Sequence, residues 1–509
     1  MSPRRTRWTT TVSQDTLSGI AAAQQQFYQA IASKAQQALG QQGSVAISPI
    51  QTGGLGFNYD YLVTNNTGSS MVRSTFSLLD STVVNGSLPG TVALGDSFSG
   101  ALGLLLQDMS WTLSTADQNA VSTATGRAAS AQTTLLTEYE GIFGPITSAQ
   151  MQAAKVATPL DYVIDYQVRR VWSGTDATGK PPLNLQAGSR NLEAELPFMP
   201  SSAAALLNPL LAYLNAMGSV WPLLNTRADA EYQRNSIIDN IQGPTTANGG
   251  ITTWDPSTPN NLPLPAVGYT TSPTSDALVD ALSAATSTSS LTIDFEARFS
   301  HTHQVTVHVK TEAEVVLPID DFIFGEGSGG SKFNLFSFQG TGNECTISAV
   351  FGNPTLVHVT PEAYDQANSV GWYLAGMVSQ AVANTGDASV TGYKFATKPA
   401  YDFAAGGDFG RFLALAASQN PTITVTYDQG EYSKFKKSFE EHSSWEVSFL
   451  GIPLAKMSQS YYTATSQTKD TRGGFSLVLT PPSQAGLAPY ELFGYILGGS
   501  VVYPGNQPV

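Results

Sequence analysis

The stretch that most restricts how this chain can fold runs from Leu291 to Leu317, LTIDFEARFSHTHQVTVHVKTEAEVVL. Its odd-numbered residues are apolar except His301, His303 and Thr311, and its even-numbered residues are polar except Val316. Side chains alternate across a strand, so a period of two is the signature of half-buried β-structure. A single strand of this length would extend roughly 90 Å at about 3.3 Å per residue, far longer than ordinary strands. The chain must therefore turn near Ser300-His301-Thr302 or bend there at a bulge. A two-residue hairpin loop would shift the inward parity, whereas a loop with an odd residue count keeps it.

Upstream the pattern is mainly helical. Residues 13–41 place Leu17, Ile20, Phe27, Ile31, Ala35 and Leu39 roughly on one stripe and stop at Gly40. Residues 44–90 mix short strand-like runs with turns, including the hairpin signal Asn85-Gly86. Helices follow from Asp96 or Ser97, over 115–142, and over 147–172 with a break near Pro159. Leu196 to Thr226 contains no Asp, Glu, Lys or Arg, and its centre has the roughly 20 residues that a membrane span needs. Pro209, Pro222, Asn208 and Asn215 oppose a spanning helix, so a buried helical hairpin is preferred.

Residues 243–275, crowded with Pro, Gly, Asn and Thr, read as a linker or long loop. A short helix at 276–285 follows. Further strands are expected at 333–338, 345–350, 354–359, 388–395, 421–427, 432–439, 443–450, 458–466 and 474–480, with helical inserts at 360–383 and near 408–417. The fold class this predicts is α+β. A helix-rich region, 1–242, leads through the 243–275 linker to a mostly antiparallel, β-sandwich-like domain, 276–509, with one or two inserted helices.

Composition narrows the function. Only 13% of residues are charged, about half the usual share, and Ser, Thr, Gly, Asn and Gln stand in their place. Copies with such neutral polar surfaces can approach without burying ions that would need partners. A net charge of −14 and the lack of a basic stripe argue against nucleic acid. Cys345 is the single cysteine, so no intramolecular disulfide and no thiolate metal cluster can form; it reads as a buried, inert thiol. The opening MSPRRTRWTTTVSQ has basic residues but no apolar core, so no signal peptide reads there. An extracellular or surface location by a leaderless route is favoured over the cytoplasm. Asn65 and Asn85 fit the glycosylation triplet, which has meaning only in a secretory pathway.

The sharpest chemical motif is Val92-Ala93-Leu94-Gly95-Asp96-Ser97-Phe98-Ser99-Gly100, a β-prone run followed by an apolar helix. It resembles the first block of the GDS-type (SGNH) ester hydrolases, where the serine of GDSxS is the nucleophile at a strand-to-helix turn. That resemblance spans about nine residues and implies Ser97 as the candidate catalytic residue. The family's DxxH block is missing: three residues before His301, His303, His308, His358 and His442 stand Arg298, Ser300, Val305, Thr355 and Phe439. Its Gly-x-Asn-Asp block is missing too, Gly342-Asn343-Glu344 being the nearest run. Without a placed base a serine is not activated, and the plainer expectation is that Asp96 or Ser97 caps a helix.

His301-x-His303 puts two imidazoles on one face of a strand, a spacing that can share a metal if a third ligand is folded nearby. Gly325 to Lys332 superficially resembles a phosphate loop, but Ser331 separates the last glycine from Lys332 and a strand-like run follows where a helix is needed. Glu431 to Glu441, EYSKFKKSFEE, reads as solvated or edge-strand charge. The polar segment 458–468 followed by FSLVLT suits a hairpin of a kind shared by pores and ordinary sandwiches. No cofactor and no small-molecule substrate is implied.

Three functions stay open, in this order. The first is a non-catalytic structural or surface protein that assembles into homo-oligomers. The second is a pore-forming protein with a membrane as partner. The third is a GDS-type ester hydrolase built on Ser97.

Overall fold

The computed structural model describes residues 25, 29–39, 46–50, 56–58, 63–65, 68–87, 90–175, 181–186, 191–255, 262–273, 275–284, 289–299, 304–309, 314–318, 324–327, 332–334, 344–427, 445–449, 452–453, 463–469, 474–481, 483 and 493–504. The fold is mixed α+β. The chain divides into two compact units, one comprising 1–107, 236–379 and 399–509, the other 108–235 and 380–398.

In the first unit the alternating stretch resolves into a meander of three antiparallel strands, Ser290–Phe299, Gln304–Val309 and Glu314–Pro318. Directly opposite residues in an antiparallel pair share a face. Phe299 lies opposite Val305, and Val307 opposite Val315, so each reversal joins two odd-numbered residues. The sequence kept one parity through two turns because both turns conserve it. The first reversal falls between Phe299 and Gln304, where the length argument requires a break.

The meander is one side of a seven-stranded sheet that continues through Glu344–Gly352, Thr422–Tyr427, Gly474–Thr480 and Thr463–Lys469. A five-stranded sheet orders Gly56–Asn58, Phe493–Val502, Arg411–Ser418, Thr355–Pro361 and Tyr269–Ser272. A single bent ribbon belongs to both. Val350 pairs with Thr422 in the larger sheet and Thr355 with Ala417 in the smaller, so one register runs unbroken from one to the other. At the bend, Gln419 N donates to Gly352 O at 2.9 Å.

Asn353 makes that bend. Its φ of +47° lies in the left-handed region that Asn tolerates better than most residues. Its Nδ2 donates to Ala281 O at 2.8 Å, and Gln419 Nε2 donates to Leu282 O at 3.0 Å and Ala284 O at 2.9 Å. These carbonyls close the helix Ser275–Ser283, whose last turn has no intrahelical donors to use. Asn353→Ala is expected to lower stability by about 2 kcal/mol, from a buried hydrogen bond lost and a strained φ. Asn353→Gly should recover the strain but not the bond. Urea midpoints of the two variants check this.

Four stretches differ from the sequence expectation. Residues 408–417 contain no helix; Arg411–Ser418 is a central strand, and Ala414 to Ser418 are all buried. A strand covered on both faces shows no alternation, so its Ala/Leu run reads as helical. Of the insert expected at 360–383, the helix is Ala375–Asn384. Within 243–275, Ile251–Trp254, Leu264–Ala266 and Tyr269–Ser272 are strands. The first half is not uniformly helical either: Gly68–Val72, Ser81–Asn85, Val92–Ser97 and Met109–Thr112 are strands.

The second unit is built on the helix Thr115–Phe143, whose N-cap Ser114 accepts from Asp117 N at 3.1 Å. Its Leu135 and Tyr139 enter a core with Tyr162, Trp172, Leu206 and Leu210. Pro159 opens a new helical run capped by Thr158, and Tyr162–Trp172 is a π-helix. In the uncharged segment, Leu207–Gly218 and Trp221–Gln242 meet at a bend of 60°. Pro209 and Pro222 sit in the first turns of these helices, where proline lacks nothing the helix needs. Among the described residues no single helix is long and apolar enough to cross a membrane; the bent pair passes together by length and composition.

Candidate functional site

Ser97 lies where the strand Val92–Ser97 passes directly into the helix Phe98–Gln107. The strand pairs antiparallel with Ser81–Asn85, and Gly95 leaves room for that neighbour: a Cβ there would sit 2.3 Å from Thr82 Oγ1. The glycine of the Gly-Asp-Ser run is thus required by strand packing.

Asp80, the residue before the paired strand, organises the helix start. Phe98 N donates to its backbone carbonyl, and Ser99 N to its Oδ1 at 3.0 Å. Ser97 Oγ donates to Asp80 Oδ2 at 2.6 Å, Ser99 Oγ to Oδ2 at 2.9 Å, and Tyr269 OH to Oδ1 at 2.8 Å. Ser97 Oγ in turn accepts from Gly100 N at 3.0 Å. Asp80 is 3% exposed. Burial pushes its pKa above the usual carboxylate value, and hydrogen bonds from Ser97, Tyr269 and Ser99 pull partly the other way. Burial also drives the Tyr269 phenol well above its ordinary value, with the Asp80 charge adding to it. Arg411, whose Nε donates to Tyr373 OH at 3.2 Å, offsets a part.

Acyl transfer at a serine needs a base to take its proton and free amides to receive the oxyanion. Here the first three amides of the helix already have acceptors: Asp80 O, Asp80 Oδ1 and Ser97 Oγ. The Ser97 hydroxyl is committed as donor to Asp80 and as acceptor from Gly100. The geometry is that of a helix cap buttressed by a buried carboxylate. Of the two expected caps, Ser97 and not Asp96 accepts from a helix amide. Asp80 escaped the sequence reading because it stands 17 positions away from Ser97, and no spacing rule links them.

Ser97→Ala is expected to cost about 1 kcal/mol of stability and to leave background hydrolysis of a short acyl ester unchanged. A melting curve and a p-nitrophenyl acetate assay on the same preparation separate cap from nucleophile.

The candidate metal residues His301 and His303 lie outside the described residues. His358, half-buried on Thr355–Pro361, pairs with Ser272 and Ala414. Among the described residues no group of three or more His, Cys, Asp or Glu is placed to hold a metal. Cys345 is buried on the strand Glu344–Gly352.

No family model matches the chain, and neither the curated proteins nor the solved structures yield a significant relative.

Proposed function

We propose that this chain is a non-catalytic protein that assembles with copies of itself, as a structural component of an extracellular or surface setting. The observation that carries the reading is the edge strand Thr463–Lys469. It pairs with Gly474–Thr480 on one side, and among the described residues no strand covers the other. From Thr463 to Thr468 the edge contains no charge, no Pro and no Gly. Folded proteins normally guard such edges with charge or proline, because an open row of N–H and C=O groups is a template for another chain. The opposite edge of the same sheet, Glu314–Pro318, carries both guards. Two copies meeting antiparallel at 463–469 across a two-fold would continue the sheet as a closed dimer. The charge-poor composition suits further contact between such dimers.

A second reading, membrane insertion and pore formation, draws on the bent helix pair at 201–218 and 221–242. Negative-stain electron microscopy of the protein alone and with liposomes tests both. Ordered particles without lipid support assembly. Rings that form only on liposomes would replace it with the pore.

A further inference from the structure

We infer that the second unit contains a binding site for a neutral polyhydroxylated ligand of monosaccharide size. A cavity of about 180 Å³ opens between the π-helix Tyr162–Trp172, the loop at 184–186 and the ends of the helices Leu207–Gly218 and Trp221–Gln242. Sites for drug-sized ligands run to roughly 300–1,000 Å³, so this one fits a ligand of on the order of a dozen non-hydrogen atoms. π-Helical turns are rare and recur at functional sites, because the wider turn redirects side chains. This one supplies Ile164, Asp165 and Arg169 to the cavity wall.

The polar heads are held in place by protein hydrogen bonds. Arg169 donates from Nε to Leu183 O and from Nη1 to Asp165 Oδ1, both at 2.8 Å. Asp161 Oδ2 accepts from Thr158 N at 3.0 Å. Gln186 Oε1 accepts from Asn225 Nδ2 at 2.6 Å, and Asn184 Oδ1 from Gln186 N at 2.9 Å. Among the described residues these contacts leave the Arg169 Nη2, the Gln186 amide nitrogen and the second oxygen of each carboxylate for a ligand. A pre-ordered set of this kind spends little side-chain entropy on binding.

The chemistry of the set chooses the ligand. The wall carries donors (Arg169, Gln186) together with acceptors (Asp161, Asp165, Asn184), and a hydroxyl is both at once, so a polyol satisfies both kinds. An anion would face Asp161 and Asp165. A cation would face Arg169, which already neutralises Asp165. Tyr213 and Trp221 also line the cavity, their rings 6.5 Å apart and edge to face. An aromatic wall with an acceptor-rich rim matches a pyranose ring, which has an apolar C–H face and an equatorial belt of hydroxyls. Leu185 and Leu214, both buried, complete the apolar part of the lining.

Saturation-transfer NMR on the full chain tests this with methyl α-glucopyranoside, methyl α-galactopyranoside, methyl α-mannopyranoside and N-acetylglucosamine, with choline and phosphate as the charged probes. The expected result is saturable binding of at least one pyranose with Kd on the order of millimolar. It should weaken tenfold or more in Asp165→Asn and in Trp221→Ala, with unchanged circular dichroism. If Trp221→Ala fails to fold, the exposed Asn184→Ala takes its place with the same expectation. No pyranose signal at about 100 mM, equal binding by the variants, or binding of choline or phosphate alone would overturn the assignment.

Discussion

Asp80→Ala is expected to destabilise the protein by about 3 kcal/mol. Its carboxylate accepts from Ser97 Oγ, Ser99 N, Ser99 Oγ and Tyr269 OH. Ser99 and Tyr269 are both buried, so removing the acceptor leaves donors with no water to turn to, at roughly 1–3 kcal/mol each. Relief from burying a charge offsets part of that cost. Urea unfolding followed by tryptophan fluorescence measures the sum, and a loss below about 1 kcal/mol would contradict the role given to Asp80.

The same residue has a pH signature. Burial raises its folded-state pKa above the ordinary 3.8, so the native state binds the proton more tightly than the unfolded chain does. Its contribution to stability is therefore full below 3.8 and declines as pH rises through the raised folded value. Compared with Asp80→Asn across that range, the native protein should have its largest advantage at the acid end. The carboxylates Asp117, Asp365 and Asp387 are shifted downward by hydrogen bonds. They act in the opposite sense, but they are common to both proteins and cancel in the difference. An advantage that grows with pH would show that the four donors outweigh desolvation.

Trp372→Ala should have an effect at least as large, about 4 kcal/mol. Trp372 is 1% exposed, and its ring lies 5.3 Å from Tyr269, 6.3 Å from Phe98 and 5.9 Å from Tyr373. Truncating a buried tryptophan costs roughly 3–5 kcal/mol through lost transfer energy and the cavity left behind. Its Nε1 also donates to Gly268 O at 2.7 Å, an acceptor that would be orphaned. Trp372→Phe restores much of the volume but not this bond, and about half of the loss should persist. Tyr269 joins the two sites, touching both Asp80 and Trp372. The double variant Asp80→Ala/Trp372→Ala should thus fall short of the sum of its parts. Strict additivity would mean that the carboxylate and the aromatic cluster are independent.

How far residues alone could carry the reading varied with the physics. The alternation from Leu291 to Leu317 was legible because one face of the strands is apolar and both reversals keep parity. The helix expected over 115–142 is found as Thr115–Phe143, with Ser114 as its N-cap and Gly144 at its end. Arg411–Ser418 was not, since burial on both faces erases alternation. The three short strands within 243–275 carry Thr and Pro that also serve loops. At the candidate site, the strand-to-helix passage at Ser97 was visible in the motif. Asp80, Tyr269 and Arg411 were not, because only folding gathers residues so far apart in the chain. The wall of the cavity likewise combines a π-helix, which has no simple periodic signature, with residues from a separate helical pair.

Sedimentation velocity tests self-assembly through the edge at 463–469. Thr465→Lys and Gln467→Lys place charge on the edge at positions opposite Val478 and Ser476. The native protein is expected to sediment as multiples of 53.8 kDa that grow with concentration. The double lysine variant is expected to remain at 53.8 kDa with an unchanged urea midpoint. A native protein that stays at 53.8 kDa up to about 100 μM, or a variant that assembles equally well, would contradict the account.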